Sequence, residues 1–294
     1  MKNFNGTFTA LITPFANGKI DYISLDRMIK HQLENGVDGF VVNGTTGESP
    51  TLKENEKGEL FLHIRKLVGP DVPLIMGTGS NDTEKTIEDS KKAETIGADA
   101  ILVVVPYYNK PPQRGLYAHF KAIATSVKIP TILYNVPGRT ITALSPETVR
   151  DLAKVPGVVG IKEASGKMDV ASDIIKACGQ GFLMLSGDDG TYVDFLAQGG
   201  HGVISVASHV IPKQMVQWRK WALEGQLDKA HADIKKYMNL INLLFVEANP
   251  IPVKKAMQLM GLIDSAELRL PLVELGAEHT EMLKAEMKKV GVLA

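Results

Sequence analysis

Residues 95–104 read TIGADAILVV, and this stretch decides the fold. A glycine ends an amphipathic segment, and an apolar run rich in Ile, Leu and Val begins within three residues. The same order returns at 34–42 (ENGVDGFVV) and at 198–206 (QGGHGVISV). Glycine is the usual residue just beyond a helix, and an apolar run without polar alternation is typical of a parallel strand buried on both faces. The repeated unit is therefore a helix followed by a buried parallel strand.

Most of the chain follows this pattern. The apolar runs short enough to be strands are Phe8–Thr13, Gly39–Asn43, Leu74–Gly77, Ala100–Val105, Thr131–Tyr134, Val158–Lys162, Phe182–Ser186 and Gly202–Val206. The segments that follow them have helical character: Ser24–Asn35, which begins with a plausible N-cap, Leu52–Val68, Asp82–Ile96, Gly115–Val127, Pro146–Ala153, Val170–Cys178, Tyr192–Gln198 and Pro212–Leu223.

This alternation predicts an α/β protein of the (β/α)8 TIM-barrel class, which typically needs about 250 residues. A doubly wound sheet is the alternative, but the first run lacks the G-x-G-x-x-G turn that such a sheet often carries. From Gln226 the pattern becomes helical only, with predicted helices at Asp228–Phe245, Pro252–Met260 and Val273–Val290. We therefore predict a catalytic barrel over residues 1–225 and a C-terminal helical domain over residues 226–294.

Composition excludes several classes of protein. Thirty-three basic residues balance thirty-three acidic ones, so the basic surplus of a nucleic-acid-binding protein is missing. No apolar run approaches the roughly 20 residues that cross a bilayer, and we recognise no signal peptide. The single cysteine, Cys178, cannot form an intrachain disulfide, which fits a reducing, cytoplasmic compartment. The histidines lack metal-ligand spacing, so we expect neither a metal nor another cofactor.

Lys162 is the most unusual residue at a predicted strand end. In a TIM barrel the active site lies at the carboxyl ends of the strands, and Lys162 ends the apolar run VVGIK. A buried ammonium group is unfavourable unless it is paired, and removal from water favours the neutral amine. A neutral amine is a nucleophile that condenses with ketones. The alternative is a structural lysine that extends to the rim or pairs with Glu163.

Two other strand ends carry groups that suit a carboxylate-bearing substrate. In NGTTGES (43–49), glycines allow close approach, and Thr45 and Thr46 supply hydroxyl and N–H groups for an anion. In YNVPGRT (134–140), the phenol of Tyr134 could move a proton, and the planar fork of Arg139 matches a carboxylate. The alternatives are an ordinary Gly-containing loop, a core tyrosine and a solvated arginine. The position of Lys162 nearby favours the site.

Two further loops are less specific. PYYNKPPQ (106–113) follows the fourth apolar run, and one of its two tyrosines could reach a partner surface, where Tyr is favoured. GDDG (187–190) follows the seventh run and could bind a cation, although such a turn more often caps a helix.

The order of these motifs identifies a family resemblance. NGTTGES, PYYNKP, YNVPGRT, GIKEASG, SGDD and GVISV succeed one another as in the dihydrodipicolinate synthase family, which belongs to the N-acetylneuraminate lyase superfamily of Schiff-base barrels. The resemblance covers nearly the whole chain, including the C-terminal helices. The combination is far more specific than any single motif.

The resemblance implies a lyase of lysine and diaminopimelate biosynthesis. It would condense pyruvate with L-aspartate-4-semialdehyde to give 4-hydroxy-tetrahydrodipicolinate, and would work as a homotetramer built from two tight dimers. The resemblance assigns catalysis to Lys162, which forms the Schiff base, and to a proton relay of Tyr134, Thr45 and Tyr108, the last from the neighbouring subunit. It assigns substrate binding to Thr46 for the pyruvate carboxylate, Arg139 for the semialdehyde carboxylate, Ile204 and Gly187.

Arg139 separates this family from its relatives. The alternative activities are those of other class I pyruvate aldolases of the superfamily, such as N-acetylneuraminate lyase or a 2-keto-3-deoxy sugar-acid aldolase. These enzymes resemble the chain in the lysine and the tyrosine but typically lack an arginine in this turn. A barrel that had lost catalysis would be expected to lack Lys162 or Tyr134, and both are present.

The resemblance also makes a prediction about regulation. Lysine-inhibited members of the family bind lysine at the tight-dimer interface through His and Glu side chains. The aligned positions here carry Glu54, Lys57 and Lys85. A cation at position 85 would repel the ammonium group of the effector, so we predict that feedback by lysine is weak or absent.

Overall fold

The computed structural model describes residues 2–179 and 181–293. Parallel strands close into a barrel in which each strand pairs with the next and the last with the first. The barrel strands are β1 (Thr7–Ala10), β2 (Gly39–Val42), β3 (Leu74–Gly77), β4 (Ala100–Val104), β5 (Thr131–Asn135), β6 (Val158–Glu163), β7 (Leu183–Ser186) and β8 (Gly202–Ser205). The predicted TIM barrel is confirmed. A small hairpin, Phe15–Ala16 with Lys19–Ile20, follows β1.

The helices surround this barrel and continue beyond it. They are α1 (Tyr22–Glu34), α2 (Glu54–Val68), α3 (Thr83–Thr95), α4 (Gln113–Ala124), the single turn α5 (Pro137–Thr140), α6 (Pro146–Leu152), α7 (Met168–Cys178), α8 (Tyr192–Ala197), α9 (Pro212–Leu223), α10 (Leu227–Leu243), α11 (Ile251–Leu259) and α12 (Ala277–Lys289). Short 3-10 helices lie at Ser49–Thr51 and Ala207–His209. The three predicted C-terminal helices are present, but α12 begins at Ala277 and not at Val273.

The start of α1 shows why helix starts were predicted less well than strands. We expected Ser24 to cap this helix, but α1 begins two residues earlier and Asp21 is its cap. The Asp21 carboxylate accepts hydrogen bonds from the backbone N–H groups of Ile23 and Ser24, and the Ser24 hydroxyl donates to it. A carboxylate at this position also interacts favourably with the helix dipole, so Asp21 is the better cap.

The apolar residues form two packed layers. One cluster fills the barrel itself, with Phe8, Ile75, Ile132 and Leu185 among its fully buried members. The larger cluster lies between the barrel and the helices and extends into α10, α11 and α12. Residues along one strand point alternately to these two layers, which explains the continuous apolar runs.

The C-terminal helices pack on the carboxyl end of the barrel. Arg269 lies beyond α11, and its guanidinium binds both carboxylate oxygens of Glu56 on α2 at 2.6 Å. Its backbone N–H donates to Glu48 in the loop after β2. The C-terminal part of the chain therefore holds the loop after β2 and helix α2 at this end of the barrel, while a domain boundary at residue 226 stays a prediction. No helix among the described residues is long and apolar enough to cross a membrane.

Candidate active site

A cavity of about 540 Å³ opens at the carboxyl end of the barrel. Its inner part is lined by strand residues, among them Met76, Leu102, Val104 and Tyr134. Thr45, Arg139 and Tyr107 also line it, and an arm of the cavity continues between α2 and α3 past Glu54, Lys57 and Lys85. The end of the barrel at which we expected chemistry therefore contains a cavity large enough for a small-molecule substrate.

Lys162 lies on β6 and is 6% exposed, and it is not itself one of the residues that line the cavity. Its register partner on β5 is Tyr134, and the Lys162 Nζ atom lies 4.4 Å from the centre of the Tyr134 ring. Tyr134 lines the cavity, so the amine lies over the face of a cavity-lining aromatic ring. This placement brings the predicted nucleophile and the predicted proton carrier together.

Glu163 does not neutralise Lys162, contrary to the structural alternative. Neighbouring residues of a strand point to opposite faces, and the carboxylate of Glu163 is bound elsewhere. It accepts a hydrogen bond from the Asn135 Nδ2 atom at 2.7 Å and another from the Ser165 backbone N–H at 2.6 Å. Asn135 in turn accepts from the backbone N–H of Leu144. This buried network joins the ends of β5 and β6 and fixes the strands that carry Tyr134 and Lys162.

The loop after β2 carries Thr45 and Thr46 in an unusual backbone conformation. Asn43 and Glu48, at its two ends, both have positive φ angles, 58° and 57°. Such angles are uncommon for residues other than glycine and are retained where surrounding contacts over-determine them. Thr45 lines the cavity, whereas Thr46 is buried at 4% exposure and its Oγ1 atom is hydrogen-bonded to Asn249.

Arg139 stands at the rim on the single turn α5. Its side chain lines the cavity, and its Nη2 atom donates to the backbone carbonyl of Asn249 at 3.0 Å. The remaining donors of the guanidinium are available for a carboxylate that enters the cavity. Tyr134 and Arg139 therefore line the same cavity, while their roles toward substrate stay predictions.

The two tyrosines after β4 differ in their surroundings. Tyr107 lines the cavity, while Tyr108 is 88% exposed and is not part of the cavity wall of its own chain. Tyr108 also has a positive φ angle of 72°. The predicted role of Tyr108 in a neighbouring subunit stays a prediction.

Gly187 and Ile204 lie beside the predicted centre. A Cβ atom at Gly187 would come within 2.7 Å of the Lys162 Cε atom, so the glycine leaves the room that the lysine side chain occupies. Ile204 is 1% exposed and belongs to the cluster inside the barrel. Neither residue lines the cavity, and their predicted contacts with substrate stay predictions.

The acidic pair after β7 has structural partners. Asp188 accepts from the backbone N–H and the hydroxyl of Thr191, next to the start of α8. Asp189 accepts from the backbone N–H groups of Val206 and Ala207, after β8. Burial raises the pKa of Asp189, which these hydrogen bonds oppose. Across residues 2–179 and 181–293, no three His, Cys, Asp or Glu residues are grouped so that they could hold a metal ion.

Sequence reasoning missed the residues of the C-terminal segment that reach the site. Asn249 contacts both Thr46 and Arg139, as described above. Lys254 on α11 is fully buried and forms an ion pair with the equally buried Glu48, and burial lowers the pKa of this lysine. The available signal was the run ANPIPVKK (248–255), in which a lysine lies among apolar residues and prolines just after an Asn-Pro step.

Comparison with known proteins places this site in a family. A model of the dihydrodipicolinate synthetase family matches residues 3–290. The chain belongs to this family. A protein of Bdellovibrio bacteriovorus named 4-hydroxy-tetrahydrodipicolinate synthase is 78% identical over 293 residues, which cover 100% of both chains. These findings confirm the predicted family and the predicted lyase class.

Solved structures of the dihydrodipicolinate synthetase family support the same conclusion. The dihydrodipicolinate synthase of Thermotoga maritima is 45% identical, with a TM-score of 0.97 and 99% of each chain covered. A chloride-inhibited dihydrodipicolinate synthase of Acinetobacter baumannii, solved in complex with pyruvate, is 41% identical, with a TM-score of 0.96 and coverage of 99% of this chain and 100% of that chain. The C-terminal helices are thus part of the family's fold.

Proposed function

We propose that this chain condenses pyruvate with L-aspartate-4-semialdehyde to give 4-hydroxy-tetrahydrodipicolinate and water, through a Schiff base on Lys162. The observation that carries the proposal is the position of Lys162: a buried amine, not paired with its acidic neighbour, lies 4.4 Å from the ring of a tyrosine that lines the cavity. The relatives named 4-hydroxy-tetrahydrodipicolinate synthase support this substrate pair.

The proposed reaction begins with the attack of the Lys162 amine on the keto carbon of pyruvate. Water leaves and a protonated imine forms, which is an electron sink. The methyl group of pyruvate then loses a proton to give an enamine, and the enamine carbon attacks the aldehyde carbon of the semialdehyde. Finally, the amino group of the semialdehyde attacks the imine carbon, the ring closes and Lys162 is released.

Each of these steps moves a proton, and the proposed relay supplies the groups for it. Tyr134 and Thr45 line the same cavity. A phenol has an ordinary pKa near 10 and needs a hydroxyl partner to pass protons at neutral pH. We assign that part to Thr45, and to Tyr108 of a neighbouring subunit in a homotetramer. The Tyr108 side chain is 88% exposed, so it is accessible to another copy of the chain.

The two carboxylates of the substrates are assigned to different loops. Thr46 and the N–H groups of its loop would hold the carboxylate of pyruvate, which places the keto carbon near Lys162. Arg139, on the rim, would bind the carboxylate of the semialdehyde. With this assignment, the semialdehyde would bind on the side of the cavity where Arg139 stands, at the rim. We further propose that the enzyme works in the cytoplasm, where both substrates are metabolites.

The experiment that tests the proposal is chemical trapping. Borohydride reduction in the presence of pyruvate should attach a three-carbon adduct to Lys162, identified by mass analysis of peptides. Lys162→Met should abolish the adduct, while Lys167→Met, in the loop after β6, should leave it unchanged. An adduct on another lysine, or none, would overturn the assignment.

A second measurement separates the proposed activity from that of a sugar-acid aldolase. Coupled assays should compare aspartate semialdehyde with N-acetylmannosamine as the acceptor for pyruvate. Turnover of the semialdehyde alone is expected. Turnover of the sugar alone would replace the proposed function with that of an N-acetylneuraminate lyase.

A further inference from the structure

We infer that Asn249 is a positioning residue, whose side-chain amide directs the hydroxyl proton of Thr46 toward the carboxylate of pyruvate. The inference rests on the proposed function and adds a positioning residue from the C-terminal segment to the pyruvate subsite. Asn249 stands outside the barrel strands, between α10 and α11, and is 6% exposed.

The geometry is a single buried hydrogen bond across a long distance in sequence. The Asn249 Nδ2 atom donates to the Thr46 Oγ1 atom at 2.9 Å, and the two residues are 203 positions apart. A hydroxyl has one proton to donate and two lone pairs to accept. Since the amide N–H occupies a lone pair of Thr46, the hydroxyl proton remains free for an acceptor.

The backbone of the loop after β2 is held by contacts with other parts of the chain, and these contacts do not set the orientation of the Thr46 hydroxyl. Its terminal residue Glu48 has a left-handed backbone and is bound by the buried ammonium group of Lys254 and by the backbone N–H of Arg269. Thr13 donates to the backbone carbonyl of Gly47 at 2.8 Å. These contacts fix the backbone of the loop. The Asn249 amide then fixes the direction in which the Thr46 hydroxyl points its proton.

The same residue contacts the second carboxylate-binding group by a different atom. The backbone carbonyl of Asn249 accepts from the Arg139 Nη2 atom at 3.0 Å. A side-chain substitution keeps this carbonyl and removes or changes only the amide. The side chain therefore acts on the pyruvate subsite, and the main chain acts on the subsite of the semialdehyde.

Asn249→Asp is the decisive variant, since it keeps the shape and replaces the donor with a carboxylate. The carboxylate would accept a hydrogen bond from the Thr46 hydroxyl, which turns that hydroxyl away from the substrate, and would place a negative charge beside the bound anion. The pyruvate concentration at half-maximal borohydride trapping should rise about tenfold or more. The KM of the semialdehyde should change much less, because Arg139 keeps its backbone partner. Asn242→Asp, the same change at an exposed position of α10, is the matched control and should leave both values unchanged.

A double-mutant cycle distinguishes positioning from a general structural role. If Asn249 acts through the Thr46 hydroxyl, Asn249→Ala should weaken pyruvate trapping in the wild-type background but add little in a Thr46→Val background. Additive losses would overturn the inference, as would an Asn249→Asp variant with unchanged half-saturation, which would mean that Thr46 donates to the Asn249 carbonyl. Wild-type trapping on Lys162 is measured in the same series, so failure of the proposed function would be seen separately as no adduct at all.

Discussion

Loss of Arg139 should impair the use of the semialdehyde and leave imine formation with pyruvate intact. Arg139 lies on a single helical turn at the rim of the cavity. It takes no part in the proposed formation of the imine. We expect Arg139→Ala to lower kcat/KM for the semialdehyde by about 10- to 100-fold, the usual cost of a lost charge-assisted hydrogen bond. Trapping of pyruvate on Lys162 should persist at nearly wild-type concentrations.

The control for this experiment is an arginine with no part in the cavity. Arg150 is exposed on α6 and pairs with Asp151 at the surface, so Arg150→Ala should leave both measurements unchanged. Equal losses in trapping and in semialdehyde use by Arg139→Ala would show that the residue supports the whole cavity and does not select the second substrate.

At the residue scale, the sequence predicted the groups that end strands and missed those that arrive from elsewhere. Lys162 and Tyr134 were predicted because a polar residue that ends an apolar run in a barrel faces the active-site end. Asn249 could not be found in this way, since its contact with Thr46 depends on how the C-terminal helices pack. Neither local pattern nor spacing encodes a hydrogen bond between such distant positions.

At the scale of elements, α11 is attached to the loop after β2 by the buried Lys254–Glu48 pair. Removing one partner leaves an uncompensated buried charge, which typically costs 3–5 kcal/mol. We expect Lys254→Met to lower the free energy of unfolding by about this amount and to reduce pyruvate trapping, because the loop carries Thr46. Urea denaturation and trapping measure the two effects.

The neighbouring residue of the same helix provides a matched control. The Lys255 side chain is 15% exposed, but its partner Glu274 is 56% exposed, so removal of the lysine charge leaves the carboxylate in water, and such solvated pairs contribute about 1 kcal/mol or less. Lys255→Met should therefore change stability little. A similarly small effect of Lys254→Met would contradict a structural role for the buried pair.

Helices α2 and α3 carry the prediction about regulation. The Lys85 Nζ atom on α3 binds Glu54 on α2 at 2.7 Å and also pairs with Asp89. Although burial opposes the charge, these hydrogen bonds raise the pKa of Lys85 above its ordinary value. The arm of the cavity between the helices thus contains a cation that is already paired with both carboxylates.

We therefore expect lysine to inhibit weakly or not at all. An effector ammonium group would have to compete with Lys85 for Glu54 and Asp89, and the two cations would repel each other. A titration of activity with lysine, with arginine as a control for ionic effects, measures this directly. Strong inhibition at sub-millimolar lysine would contradict the prediction.

Elements were predicted more securely in their order than in their ends. The strands were found because Val, Ile and Leu without polar alternation mark strands buried on both faces, as in Val158–Glu163. Where a helix starts depends on which of several neighbouring residues acts as the N-cap, and at α1 this residue is Asp21 and not Ser24. The single turn α5, which carries Arg139, is too short for a periodic pattern to show it.

At the scale of the whole molecule, the first and last strands of the barrel are joined by their own pairing and, next to it, by a buried polar contact. His209, after β8, is fully buried. Its Nε2 atom accepts from the backbone N–H of Ile12, after β1, and its Nδ1 atom is hydrogen-bonded to the Val206 carbonyl. The ring must therefore be neutral, since a proton on Nε2 would face the N–H of Ile12. Burial lowers the pKa of His209 to about 4.

This contact predicts a loss of stability in mild acid. In the unfolded chain a histidine has a pKa near 6.5, so between pH 6.5 and about 4 the unfolded state binds a proton that the folded state excludes. The free energy of unfolding should fall through this window, by roughly 3 kcal/mol from this residue.

His209→Gln, which retains an acceptor for Ile12 but does not titrate, should show a shallower loss in urea denaturation at several pH values. An unchanged slope for His209→Gln would mean that the acid sensitivity arises elsewhere, for example at His119, whose pKa burial also lowers to about 4.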